Sequence, residues 1–168
     1  QATASITPRP VTVAGVTAND KPYDGTTAAT LSAGTITGLV PGETLTLGGT
    51  AAFDTKAVGT GKTVRGSIVL ADGNARATNY LLTNGGSFDG RASILPRALA
   101  VTGATVGSKA YDGDATTSAS GFTLSGVLPG ENVSVSGGSG RFDDPDAGVN
   151  KGVTATATGL TGADAGNY

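Results

Sequence analysis

The sequence predicts an all-β protein: two tandem immunoglobulin-like β-sandwich modules, the second lacking its last strand. Three observations lead there. The chain matches itself at a shift of about 88 residues. Short runs that alternate apolar and polar residues recur along it, punctuated by Asp-Gly, Asn-Gly and Pro-Gly pairs. Glycine and β-branched Thr and Val fall in every window, and no stretch keeps the apolar period of an amphipathic helix.

The repeat fixes the organisation. A shift of 88 carries Ile6-Thr7-Pro8-Arg9 onto Ile94-Leu95-Pro96-Arg97, Lys21-Pro22-Tyr23-Asp24-Gly25 onto Lys109-Ala110-Tyr111-Asp112-Gly113, and Gly38-Leu39-Val40-Pro41-Gly42-Glu43 onto Gly126-Val127-Leu128-Pro129-Gly130-Glu131. At a shift of 89, Phe53, Gly59, Lys62 and Val64 fall on Phe142, Gly148, Lys151 and Val153. Asn79-Tyr80 returns to 88 at Asn167-Tyr168, so one residue enters and later leaves a loop. A unit this long exceeds the 20 to 50 residues of solenoid repeats and can close its own core, burying roughly 60 to 65 % of its unfolded surface. The expected boundaries are 1–7, the tail of a preceding module, 8–95 for module 1 and 96–168 for module 2. Residues 1–7 read as a tail because Ala4-Ser5-Ile6 repeats Ala92-Ser93-Ile94. A chain without Met reads as an interior or processed piece of a longer precursor, so the lack of a targeting signal carries no information.

The strands follow from alternation, which gives one dry and one wet face. The runs are Val11-Thr12-Val13, Thr44-Leu45-Thr46-Leu47, Thr63-Val64-Arg65, Leu99-Ala100-Val101-Thr102, Asn132-Val133-Ser134-Val135 and Val153 to Thr158. Asp24-Gly25, Asp72-Gly73, Asn84-Gly85, Asp89-Gly90 and Asp112-Gly113 offer the positive-φ positions of tight turns. Val40-Pro41-Gly42-Glu43 and Leu128-Pro129-Gly130-Glu131 fit a type II turn, with Pro at its second place and Gly at its third.

Composition narrows the function classes. The 168 residues include 28 Gly but no Cys, Met, Trp or His. Disulfides, thiolate chemistry and the usual neutral-pH acid/base side chain are thereby removed. Charged residues make up 14 %, and the 11 basic and 13 acidic ones are scattered singly for a net charge of −2. No basic stripe exists to release counterions, so no nucleic-acid partner is expected. No run approaches the 18 apolar residues of a spanning helix, so no membrane contact by this fragment is expected either.

The candidate residues divide between framework and binding. The triplets Tyr23, Asp24, Gly25 and Tyr111, Asp112, Gly113 read first as structural turns: Tyr packing at a strand end, Asp accepting backbone hydrogen bonds, Gly left-handed. Their binding alternative is a sugar-stacking ring beside a carboxylate, which makes Tyr23, Asp24, Tyr111 and Asp112 candidate glycan contacts. Phe53 and Phe142 are core anchors, and Asn79, Tyr80, Asn167 and Tyr168 are turn-and-strand positions. Glu43 and Glu131 read as solvated turn residues. Asp143, Asp144 and Asp146 form the one acidic cluster and a candidate calcium loop, though the matching loop, Asp54-Thr55-Lys56-Ala57, holds one acid and a Lys. No other cofactor is expected. Gly59-Thr60-Gly61-Lys62-Thr63 ends like a phosphate loop, but Lys56 stands where that motif begins with Gly.

Taken together, Lys-x-Tyr-Asp-Gly, Gly-x-x-Pro-Gly-Glu, a lone Phe, Gly-x-x-Lys-x-Val, Asp-Ala-Gly-Asn-Tyr and the linker Ile-Thr-Pro-Arg-Pro resemble the YDG repeat domain. That family is related to the MBG, or mostly bacterial immunoglobulin-like, domains. The resemblance spans nearly the whole chain, with a departure at Asn74 to Tyr80 against Ala163 to Tyr168. It implies membership of a large filamentous-haemagglutinin-type adhesin of a Gram-negative bacterium, exported by two-partner secretion and retained at the cell surface or in biofilm matrix. Zero Cys suits a chain that crosses an oxidising periplasm unfolded.

The expected role is a non-enzymatic stalk whose partners are neighbouring modules of the same parent. One alternative is binding of exopolysaccharide or host glycan. Another is self-association, in which residues 1–6 of one copy fill the strand position missing from module 2 of another.

Overall fold

The computed structural model describes residues 2–168, so Gln1 at the head of the 1–7 segment lies outside the described residues. The chain divides into two compact units between Leu95 and Pro96. Residues 2–7 precede the first strand, form no regular element and are exposed.

Module 1 has eight strands: β1 (Arg9–Ala14), β2 (Lys21–Pro22), β3 (Ala28–Ala29), β4 (Thr35–Thr37), β5 (Leu45–Phe53), β6 (Gly59–Asp72), β7 (Tyr80–Leu82) and β8 (Ser87–Leu95). They form two sheets, ordered β4-β1-β7 and β2-β8-β6-β5-β3. Alternation puts Val11 of β1 and Tyr80 of β7 on the inner face of the first sheet. Both are buried together with Leu45 of β5, and Ile36, Leu39 and Leu70 pack around them. This is sandwich packing, with side chains of two facing sheets sharing one dry layer. The larger sheet is built on the β5–β6 hairpin, which runs in unbroken antiparallel register from Leu45↔Asp72 to Phe53↔Val64.

Strand β8 lies inside that sheet. Its N-terminal part pairs antiparallel with β6, and its end, Ile94–Leu95, also pairs parallel with Lys21–Pro22 of β2. The Tyr23 N–H extends the second ladder by donating to the Leu95 carbonyl at 2.9 Å. Phe88, Ala92 and Ile94 on alternate positions of β8 are buried, as the period of two requires.

Module 2 has four long strands, β9 (Ala100–Val106), β10 (Thr116–Ser125), β11 (Ser134–Phe142) and β12 (Val153–Thr161), in the order β12-β11-β10-β9. Strand β10 corresponds to β3 and β4 together. Its first residues, Thr116 to Ser118, pair with β11, and Ala119 to Ser125 pair with β9. The exchange of partner is accompanied by a register shift after Ser120, where Gly121 takes φ 59. A strand that changes sheets at a bulge is how a sandwich turns its corner. Module 2 is thus the same sandwich-type sheet arrangement with no counterpart of β8, and β12 ends the sheet.

Several expectations change here. Asp89-Gly90 is not a turn but lies within β8, and a Cβ on Gly90 would meet the Phe88 ring at 2.7 Å. An aromatic ring laid over a strand glycine covers the backbone that the missing side chain leaves bare. Gly73 is likewise not left-handed: it lies where the backbone passes so near Thr44 that a Cβ would sit 2.3 Å from the Thr44 carbonyl oxygen. The two Pro-Gly turns do form. Gly42 and Gly130 have φ 86 and 83, and Glu43 and Glu131 N–H close the turns onto Val40 and Leu128 carbonyls at 3.0 and 3.2 Å.

Because Phe53 is buried at the end of β5, truncating it removes a large inner side chain from module 1. Phe53→Ala is expected to destabilise module 1 by about 3 to 5 kcal/mol. Urea unfolding followed by tyrosine fluorescence checks this, with Phe142→Ala, whose parent ring is only half-buried, costing less.

Candidate functional site

Two clusters of functional groups recur in both modules, and each begins as a local turn. In the first, Gly25 takes φ 77, which folds Asp24 back so that its Oδ1 accepts from Thr26 N–H and Thr26 Oγ1, both at 2.9 Å. Lys21, three residues earlier, adds its Nζ at 2.7 Å and also donates to the Thr26 carbonyl at 2.9 Å. Module 2 repeats the plan: Gly113 has φ 81, Lys109 Nζ lies 2.7 Å from Asp112 Oδ1, and Asp114 N–H donates to the same oxygen at 3.0 Å. Partial desolvation pushes the Asp24 carboxyl up, but the Lys21 ammonium and the Thr26 donors outweigh it and hold the group below the ordinary aspartate value. At Asp112 the Lys109 ammonium has the largest effect, in the same direction. In each carboxylate one oxygen, Oδ1, is held by donors of its own turn.

The second cluster joins the Pro-Gly turn to the tyrosine after the one-turn 3₁₀ helix at Ala77–Asn79. The Tyr80 hydroxyl donates to Glu43 Oε2 and accepts from Val40 N–H at 3.1 Å. In module 2 the Tyr168 hydroxyl donates to Glu131 Oε2 and accepts from Leu128 N–H at 2.9 Å. Arg9 and Arg97 brace the same turn, each Nε donating to the carbonyl of Gly38 or Gly126, at 2.6 and 2.8 Å. The hydrogen bond to Glu43 raises the Tyr80 pKa above its ordinary value. Desolvation leads at Tyr168, with Glu131 acting in the same direction. Glu43 and Glu131 are therefore not free solvated turn residues, as expected from the sequence, but acceptors in a clasp spanning 37 residues. The equal spacing of Glu and Tyr in both copies was the available signal.

The remaining candidates separate. Tyr23 is 0 % exposed, so its ring faces no solvent and cannot stack on a sugar, which overturns the glycan reading at that residue. Tyr111 is 68 % exposed beside Asp112. The acidic run does not close around a cation site either. Asp144 Oδ1 accepts from Lys151 Nζ and, at 2.8 Å, from Asp146 N–H, while the Lys151 ammonium also reaches the Asp146 carbonyl. Among the described residues no group of three or more acids gathers to hold a metal ion. A lysine stands where the calcium reading needs the ion. Its counterpart Lys62 pairs with Asp54 at 3.2 Å, so this lysine clamp is common to both modules.

A model of the YDG domain matches residues 7–87 and 95–168. The chain belongs to the YDG domain family. No curated protein and no solved structure matches it. The triplet that gives the YDG domain its name is, in both copies, the Lys-braced Asp-Gly turn described above. The two matched segments leave out residues 88–94, the greater part of β8, and likewise the residues before Thr7.

The shifted groups set the pH limits of this YDG pair. Asp24 and Asp112 have lowered folded pKa values, so their contribution is present above about pH 4 and is lost as pH falls through the folded values. Tyr80 and Tyr168 have raised ones, so theirs is complete below about pH 10 and is lost as pH rises through the folded values. Melting temperature is therefore expected to hold a plateau between these limits. Tyr80→Phe should lower that plateau and flatten the alkaline fall of module 1, read by circular dichroism across the pH range.

Proposed function

We propose that these YDG modules are structural spacers in a larger secreted or surface-bound adhesin, where they hold other regions away from the cell or within biofilm matrix. One observation carries the reading: what recurs at the 88-residue spacing is framework. The Lys-Asp turn, the Tyr-Glu clasp and the Arg brace return with the same partners, the lysine clamp returns with its acid one position further on, at Asp144, and each uses its charges to fix a turn or a loop. A module whose repeated polar groups are spent internally suits serial repetition, because each added copy brings length and no new chemistry. The same feature favours a non-enzymatic role.

The residue resemblance to repeats of filamentous-haemagglutinin-type proteins supports placement outside a Gram-negative cell after two-partner secretion. The absence of Cys accords with that route. Neighbouring modules of the same parent are then the first partners.

A second reading has a specific observation behind it. The exposed Tyr111 ring beside Asp112 could present a stacking face to a glycan, in module 2 only. Titration calorimetry of the chain against purified matrix exopolysaccharide, with a host-glycan array in parallel, separates the two. The spacer reading expects no saturable heat and no array signal. Saturable binding lost in Tyr111→Ala would replace it with the glycan reading.

A further inference from the structure

We propose that the cleft between the two sheets of module 1 is a binding site for a neutral aromatic molecule of two or three rings, one of which lies over Gly49. The inference does not rest on the spacer reading. That reading stands on what the two modules repeat, and this one on a place where module 1 departs from module 2.

The cleft arises where the chain passes from one sheet to the other. Strand β3 pairs with β5 only at Ala51 and Ala52. The residues after it, 30–34, leave that sheet and run beside 17–19: Asn19 N–H donates to the Thr30 carbonyl at 3.0 Å, and Ser32 N–H to the Thr17 carbonyl at 2.8 Å. Strand β4 then joins β1. On this side the sheets stand apart around a cavity of about 880 Å³. Val16, Leu31 and Ile36 wall it on one side, and Leu47, Gly49 and Ile68 on the other. Among the described residues, no Asp, Glu, Lys or Arg lines it.

Module 2 shows what fits such a place. The repeat aligns residues 25–38 with 113–126 and Gly48-Gly49 with Gly137-Gly138, so Gly34 corresponds to Phe122 and Gly49 to Gly138. The Phe122 ring reaches across to the facing strand and lies on Gly138, where a Cβ would meet two of its ring carbons at 2.3 and 2.4 Å. A ring so placed covers the backbone that a strand glycine leaves bare. The space that remains between the sheets of module 2, about 380 Å³, is lined by Leu124, Val135 and Ala157 among others and does not reach Phe122 or Gly138. In module 1, Gly34 and Gly49 both line the cavity, and neither position has room for a ring. A Cβ on Gly34 would sit 2.5 Å from Val16 Cγ2 and 2.8 Å from the Ala14 carbonyl oxygen, and one on Gly49 would sit 2.0 Å from the Ser67 carbonyl oxygen. Close packing on both walls therefore holds the cleft open, and the bare Gly49 backbone faces into it.

The walls set the ligand. An apolar cavity of roughly 150 Å³ holds one benzene, so this cleft admits two or three fused or linked rings, and its volume falls in the range of small-molecule sites. A ring over Gly49 repeats the contact that Phe122 makes with Gly138. An ionised group carried into an apolar lining without a partner is strongly disfavoured, which restricts the ligand to a neutral one. Leu45 to Thr50 have β6 on one side and, among the described residues, no strand on the other. Main-chain groups along that open side can hydrogen-bond a polar substituent at the rim of the ring system, such as a hydroxyl.

An NMR titration of the isotope-labelled 168-residue chain tests the proposal. Two compounds are compared: 2-naphthol, which is neutral, and naphthalene-2-sulfonate, its charged analogue. The expected result is saturable shifts of the Leu31, Gly34, Gly49 and Ala51 amides with 2-naphthol, and binding of the sulfonate weaker by roughly tenfold or more. The counterparts Ala119, Phe122, Gly138 and Gly140 should stay unmoved. Phe122→Ala uncovers Gly138 and is expected to create a second site, read as saturable shifts at Ala119, Gly138 and Gly140, with circular dichroism checking that module 2 stays folded. If that variant unfolds, the titration of the parent chain decides alone. The proposal is overturned by a parent chain without saturable shifts, by shifts centred on module 2, by equal binding of the sulfonate, or by a folded Phe122→Ala chain that gains no second site.

Discussion

The structure of module 1 depends on one strand being laid between two others. β8 takes hydrogen bonds from β6 on one side and from β2 and Tyr23 on the other, and it carries Phe88, Ala92 and Ile94 into the core. A small domain with few large side chains has little margin, because the gain from burial barely exceeds the entropy lost on ordering the chain. Placing a strand in the interior of a sheet rather than at its edge satisfies its backbone on both sides and removes an exposed template. Tyr23, whose N–H pairs with the end of that strand, is buried, whereas its counterpart Tyr111 is exposed.

Polar interactions do a different job. The Lys-Asp turns and the Tyr-Glu clasps lie at the margins of the sheets and recur whether or not the core is full. Module 2 keeps all of them while burying far less. They are therefore local and geometric devices that set where the chain reverses and how the Pro-Gly turn docks on β7 or its counterpart. The apolar layer, by contrast, depends on a segment far away in sequence.

Much of this was legible from residues alone. The repeat, the all-β class, the Pro-Gly turns and the Asp-Gly turns at Gly25 and Gly113 rest on local chemistry, and local chemistry is what a sequence states openly. Two long strands were harder to see. β10 contains Gly121 at its bulge, and β8 contains Asp89-Gly90, which has the composition of a hairpin turn but is held extended by pairing with β6 and covered by Phe88. Among the candidate site residues, the acids at 143, 144 and 146 look like a cation loop because the sequence does not say that Lys151 folds back onto Asp144. The clasp of Glu43 with Tyr80 is a contact across 37 residues, visible beforehand only as a spacing common to both copies.

Residue-resolved hydrogen exchange tests the central claim most directly. If the interior strand governs core formation, amides of Val64 to Ser67, enclosed by β5 and β8, exchange slowly without exception. Their counterparts Val153 to Thr156 on the sheet-end strand β12 then show alternate fast positions. Equal and uniform protection of the two segments would contradict it, because it would mean that module 2 closes its core without the strand that module 1 requires.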